Sequence, residues 1–364
     1  MKISDVIECL EDFAPLSLQE NYDNAGLLTG KRSDECSGIL TTLDVTEGVL
    51  QEAVKNNCNL IVAHHPIIFG GLKKLTGSNY VERIIISAIK NDIAIYAIHT
   101  NLDNVINGVN KMIAEKLGLQ DVEVLSPAKN ILKKLVTFSP EKNAEDIRNA
   151  LFVAGGKLGN YSECSFNVEG MGTFKAGVGA DPYVGEIGKR HEENETRIEV
   201  IFPARSQKKI IKSLKDAHPY EEVAYDIYAL DNELRDTGSG LVGNLISPLS
   251  EEDLLSRLQT EFALQVIRHS PLLGKKVSKI ALCGGAGSFL IPLAKSSGAE
   301  AYITSDVKYH EFFDADGEIL LADIGHFESE QFTISLLADI LKEKFPNFAV
   351  QKTKIKTNPV HYYT

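Results

Sequence analysis

From the N-terminus to about residue 125, short apolar runs alternate with stretches whose apolar side chains recur every three or four positions. The runs "GILTTLDVT" (38–46), "NLIVAHH" (59–65) and "IAIYAIHTNLD" (93–103) predict strands that run into loops. Between them, "EGVLQEAVKNN" and "YVERIIISAIKN" predict helices packed on the sheet, because their spacing puts the apolar residues on one face. Such alternation is the rhythm of βα units and a mainly parallel sheet.

The rhythm changes after "LSPAKN" (125–130). From about 131 to 232 the pattern predicts strand, helix, strand, a Gly-dense hairpin-like stretch, strand, helix and strand, the order of a ferredoxin-like α+β domain. "DNELRDTGSG" (231–240), polar and Gly-rich, reads as the exit linker. From 241 the α/β rhythm returns with "KIALCGGAGSFL", "AEAYITSD" and "EILLADIGHFESEQF". The expected organisation is an α/β body in two parts, 1–128 and 236–364, interrupted by an inserted domain over 129–235.

Composition narrows the chemistry. With 43% hydrophobic and 24% charged residues, the 364-residue chain reads as an ordinary globular protein without a membrane span, and we expect it in the cytoplasm. A formal net charge of -12 works against nucleic acid as a partner. The five cysteines are scattered, with no CxxC spacing, so a metal here would have to use histidines and carboxylates.

Those residue types recur where α/β proteins place their ligands, just beyond the carboxyl ends of strands. His64 and His65 stand where an apolar run meets Pro66, Gly70 and Gly71, so both can reach one site only if the strand ends there. "IHTNLD" carries His99, readable as ligand, outer partner or proton carrier, and Asp103, readable also as a helix N-cap. In "GHFESE", a helix beginning near Phe327 would put His326 and Glu330 four residues apart on one face. "ITSDVKYH" offers Asp306, Lys308 and His310, better explained as a solvated loop with substrate contact as the alternative. "CGGAGSFL" (283–290) suits either a phosphate-holding turn or tight strand-to-helix packing. "AHPYEEVAYDIYAL", with His218, Glu221 and Glu222, reads as a helix end turning into a strand.

Singly, each group has a structural explanation. Jointly, imidazoles and carboxylates from segments more than 200 residues apart make a nitrogen and oxygen donor set suited to zinc, manganese or iron(II). Five donors exceed what one open zinc position takes, which favours a two-ion site.

The motifs "ENYDNAGLLTG", "AHHPIIFGGLKKL", "HTNLDNVINGVN", "GGAGS", "SDVKYHEF" and "DIGHFESE" together resemble the YbgI/YqfO family, also called GTP cyclohydrolase 1 type 2 homologues or Nif-three-like proteins. The middle segment, with its "HPYEE", resembles the PII/CutA-like insertion of the longer bacterial members. The resemblance implies His64, His65, Asp103, His326 and Glu330 as ligands of two divalent ions per chain, zinc first, iron or manganese as alternatives. It also implies a homohexameric ring and a hydrolase acting on a nucleotide-like substrate; for such a reaction His99, the spare imidazole among these residues, is the candidate catalytic proton shuttle. The alternative is a metal-handling or regulatory hexamer without turnover.

Overall fold

A computed structural model describes residues 1–129, 131–158 and 161–363. The backbone divides into two units, Met1–Ser126 together with Asp236–Thr364, and Pro127–Arg235. The fold is mixed α/β, and among the described residues no helix is long and apolar enough to cross a membrane.

The larger unit begins with α1 (Ile3–Phe13), β1 (Gly26–Thr29), β2 (Ile39–Thr42), α2 (Glu47–Lys55) and β3 (Leu60–Ala63). It continues through α3 (Tyr80–Lys90), β4 (Ala94–Ala97), α4 (Thr100–Asp103), α5 (Val109–Lys116) and β5 (Gln120–Ala128). Every residue of β2, β3 and β4 is buried, as parallel strands covered on both faces require, which is why they read as unbroken apolar runs. Helices α2 and α3 start where the side chains of Thr46 and Asn79 accept backbone N–H groups of the first turn.

The smaller unit contains β6 (Leu132–Pro140), α6 (Ala144–Val153), β7 (Lys157–Leu158), β8 (Tyr161–Ser162), β9 (Ser165–Lys175), β10 (Arg190–Pro203), α7 (Gln207–Ala217) and β11 (Tyr225–Leu230). Four strands form an antiparallel sheet in the order β11-β6-β10-β9. Ile147, Leu151, Ile210 and Leu214 of the helices pack on Leu135, Ile198, Val200 and Phe202 of the sheet. The Gly-dense stretch is the loop 176–189 that joins β9 to β10.

The chain then forms β12 (Leu234–Ser250), α8 (Glu251–Glu261), β13 (Arg268–His269), β14 (Lys276–Ala286), α9 (Ile291–Ser296) and β15 (Ala301–Ser305). It ends with β16 (Leu320–Asp323), α10 (His326–Glu330), α11 (Thr333–Lys344) and β17 (Val350–Lys352). The linker expected over 231–240 is, from Leu234 onward, the start of β12: Thr237 bridges Val105, and Gly238 N–H donates to the Asn104 carbonyl at 2.8 Å. Polar, Gly-rich sequence does not prevent this, because ladder bonds use the backbone alone.

The larger unit thus has two sheets, β1-β4-β3-β2-β17 and β13-β16-β15-β14-β12-β5. The last strand returns to the first sheet, where Val350 pairs in parallel with Ile39. Leu337 and Leu341 of α11 share the core of that sheet with Ile39, Leu60 and Tyr96. The carboxyl ends of β3, β4, β14 and β16 carry the residues considered next.

Candidate metal centre

Strand β3 stops at Ala63, but the backbone stays extended long enough for the N–H groups of His64 and His65 to donate to Thr42 and Leu43. The His64 side chain is fully buried, whereas His65 is partly open, and their ring centroids lie 4.9 Å apart. Asp103 closes the single turn of α4 and is therefore not an N-cap. Helix α10 starts at His326, one residue before the expected position, and brings His326 and Glu330 together with Nε2 to Oε2 at 3.1 Å.

Four imidazoles converge in one orientation. Each has its Nδ1 held from outside: His64 by the Ile98 carbonyl at 2.8 Å, His65 by Asp44 at 2.7 Å, His99 by Asp23 at 2.8 Å and His326 by Asp306 at 2.7 Å. An Nδ1–H so held fixes the tautomer and leaves Nε2 as the inward nitrogen, the arrangement that metal-ligating histidines use. Inside, His65 Nε2 is 2.9 Å from Glu330 Oε2, and His326 Nε2 is 3.3 Å from His65 Nε2.

The donor atoms form three groups whose members lie within 4.8 Å of one another: His65, His326 and Glu330; His64, Asp103 and Glu330; and His64, His65 and His99. Glu330, 3% exposed, belongs to the first two. His64 Nε2 and Asp103 Oδ1 are buried without a hydrogen-bond partner, 3.6 Å apart. Orphaned polar atoms of this kind are rare in native interiors, and a cation between them would satisfy both. The residues present therefore fit divalent ions.

The electrostatics of the metal-free cluster agree. Burial alone would lower the His65 and His326 pKa values, but the carboxylates outweigh it. Hydrogen bonds to Asp44 and Glu330 raise His65 to about 9, while Glu330 and Asp306 raise His326 to about 11. Burial and the neighbouring Glu330 push Asp103 up, whereas the surrounding imidazoles hold Glu330 well below the usual carboxylate range against its burial. The apo cluster thus keeps positive charge where cations would otherwise sit, and metal loading must displace those protons.

Other expectations resolve differently. Asp306 is not merely part of a solvated loop, since it holds His326, while Lys308 and His310 are exposed. In the Gly-rich stretch that ends β14, two amides are already engaged: Gly284 N–H donates to Asn110 and Gly285 N–H to Ser329. Its glycines serve close packing, Gly285 against Glu330 and His326 of α10, Gly284 against Val109 and Ile113 of α5, and Gly287 against Tyr302 and Thr304 of β15. His218 is a buried structural histidine, bonded to the Phe138 carbonyl and accepting from Tyr220 N–H. Sequence reading missed Asp44 and Asp23. Asp44 stands just past β2, where the strand-end rule could have found it, and Thr357 donates to its other oxygen at 2.7 Å. Asp23 also accepts from the backbone and hydroxyl of Thr100, and these bonds with His99 lower its pKa to about 2 despite its burial.

Two cavities open on this cluster. One of about 700 Å³ is walled by Ile67, Ile68, Phe69 and Tyr80 and reaches His65, His99 and His326. A second of about 460 Å³ meets the other side of His65 and His326, beside Arg268 and Tyr362.

Fold and cluster together define a mixed α/β protein with a candidate metal site built at strand ends. The chain belongs to the Duf34/NIF3 (NGG1p interacting factor 3) family, whose profile matches residues 1–359. A GTP cyclohydrolase 1 type 2 homolog of Halalkalibacterium halodurans is 38% identical over 369 residues, 99% of each chain. Another protein of that name, from Bacillus subtilis, is 38% identical over 312 residues, 85% of this chain and 84% of its own. Among solved structures, a Bacillus cereus protein related to NIF3 superposes with TM-score 0.84 at 38% identity, covering 100% of this chain and 99% of its own.

Proposed function

We propose that the chain is a metal-dependent hydrolase that holds two divalent ions, zinc first among the candidates, on His64, His65, Asp103, His326 and Glu330. The observation that carries the reading is the position of Glu330 in two donor groups at once, one carboxylate oxygen 2.9 Å from His65 Nε2 and the other 3.9 Å from His64 Nε2. When bound, two such ions supply Lewis-acid activation of water and charge stabilisation at an electrophilic centre.

The chain's own residues do the rest. Asp44, Asp306 and the Ile98 carbonyl orient the imidazoles, and burial keeps His64 and Glu330 out of bulk solvent while His65 and His326 stay open to the cavities. Asp23 holds the proton on His99 Nδ1, so His99 Nε2 is free to take up and release a proton beside the cluster. Phe69 and Tyr80 offer a flat apolar wall in the larger cavity, which suits the ring of a nucleotide-like substrate. A cyclohydrolase-like reaction is the form that the names of the relatives suggest.

The rest of the family reading is proposed with it: a cytoplasmic homohexamer, with 129–235 as a PII/CutA-like insertion between body segments 1–128 and 236–364. The strand and helix order of the smaller unit and its four-stranded antiparallel sheet support the insertion reading.

Burial of His64, Asp103 Oδ1 and Glu330 also favours a second reading, a metal-handling or regulatory protein without turnover. An assay of the metal-loaded protein on GTP and related nucleotides separates the two. Turnover abolished by chelator and by His65→Ala is the expected result. Ions bound without turnover of any nucleotide would replace the hydrolase by the second reading.

A further inference from the structure

We infer that the smaller unit carries a binding site of its own for a small organic cation, an ammonium group on an apolar or aromatic body. The site stands apart from the metal reading, because every residue used here lies within 127–235.

The turn after α7 builds one wall. His218, locked to the Phe138 carbonyl and to Tyr220 N–H, fixes a bend that places Tyr220, Glu221 and Glu222 along a cavity of about 900 Å³. That volume is within the usual range of small-molecule pockets. The loop 176–189 supplies the opposite wall and is tied down, Asp181 N–H donating to Glu221 at 2.8 Å and Gly188 N–H to the Ala176 carbonyl. Strands β9 and β10 make the floor. A Cβ at Gly172 would come within 2.0 Å of Glu195 Oε2, so glycine there is what lets the Glu195 carboxylate lie across the strand. Glycine inside a strand commonly marks such a close approach.

The lining names the ligand class. Phe174 and Tyr183 each stand 6.2 Å from Tyr220, ring centre to ring centre, with tilted planes. The Nζ of Lys142 already sits 4.8 Å over the Tyr183 ring, showing that an ammonium is accommodated on a face of this aromatic group. Glu169, Glu195, Glu221 and Glu222 line the cavity with Lys175 and Arg197, of which Arg197 is bonded to Glu199 at 2.8 Å, and Lys142 adds a third cation at Tyr183. Glu195 accepts from the Tyr220 hydroxyl at 2.9 Å with one oxygen only, and its other oxygen has no donor among the described residues. Aromatic faces with an available carboxylate attract an organic cation and repel an anion of the same size.

Calorimetric titration of the full chain with benzyltrimethylammonium, and separately with benzenesulfonate, tests this. Saturable binding of the cation that persists in chelator is expected, with no binding of the sulfonate. Glu195→Gln and Tyr220→Ala should each weaken it roughly tenfold, the scale of one desolvated cation–π or charge contact. Phe69→Ala, in the cavity beside His99, should leave it unchanged. An unchanged melting temperature of Glu195→Gln separates lost recognition from lost folding. Absence of cation binding, equal binding of the sulfonate, or wild-type affinity in both pocket variants would overturn the inference.

Discussion

Glu330→Gln is expected to leave no more than one divalent ion on a chain that otherwise carries two, and to abolish metal-dependent turnover. The two side chains are nearly equal in size, and Glu330 is 3% exposed, so packing is conserved while charge is lost. The carboxylate faces His65 and His326 with one oxygen and His64 with the other, whereas the amide has a single oxygen and must turn an N–H₂ donor toward one donor group. Loss of an outer partner to a metal ligand typically costs ~10–100-fold in affinity, and losing a carboxylate shared by two donor groups should exceed that. Elemental analysis of the variant, with circular dichroism to verify the fold, reads the outcome. Two ions retained by Glu330→Gln would show that neither ion depends on the carboxylate that the two donor groups share.

The second large effect is expected at a residue with no donor atom on its side chain. Gly285 has φ +64°, and a Cβ there would lie 2.3 Å from Glu330 Oε1 and 3.5 Å from His326 Cε1. Gly285→Ala should therefore displace the Glu330 carboxylate and lower metal affinity on the order of 10–100-fold, in addition to about 1–2 kcal/mol of backbone strain. Gly274→Ala is the matched control: its φ is +69°, and nothing lies within 4 Å of the added carbon. Both variants should lose similar stability in thermal unfolding, and only Gly285→Ala should lose metal. Equal metal affinity in the two would show that the glycine serves the chain turn alone.

The contrast between donors and their supports shows what the sequence made legible. His64, His65, Asp103, His326 and Glu330 each follow a recognisable run, so position beyond a strand end made them candidates, and the family resemblance separated them from His99, Asp306, Lys308 and His310. The structure brings all five into one cluster, with His99 beside it. Asp44 was legible by its place just past β2 but was overlooked, whereas Asp23 was not legible, because the contact that gives it meaning joins residues 76 positions apart and has no local periodicity. Asp306 was seen and given the blander role, since only the fold reveals His326 at 2.7 Å. Similar reasons hid β17, whose three residues are too few to carry a pattern, and the start of β12, where backbone pairing overrides polar composition. The 900 Å³ cavity of the smaller unit escaped although "HPYEE" and the Gly-dense stretch that line it stand out in the sequence, because each reads as a local turn. Its carboxylates and rings come from segments around 170, 183, 195 and 220 that only the sheet brings together.

Metal content per chain, measured by elemental analysis on protein prepared without a histidine tag, bears most directly on the central claim. Loading is best done near pH 8, because the protons that His65 and His326 hold to about 9 and about 11 in the apo protein compete more strongly as the pH falls. The account predicts about two divalent ions per chain. A chain that binds none under these conditions would contradict it, leaving His64 Nε2 and Asp103 Oδ1 as buried polar atoms without a reason.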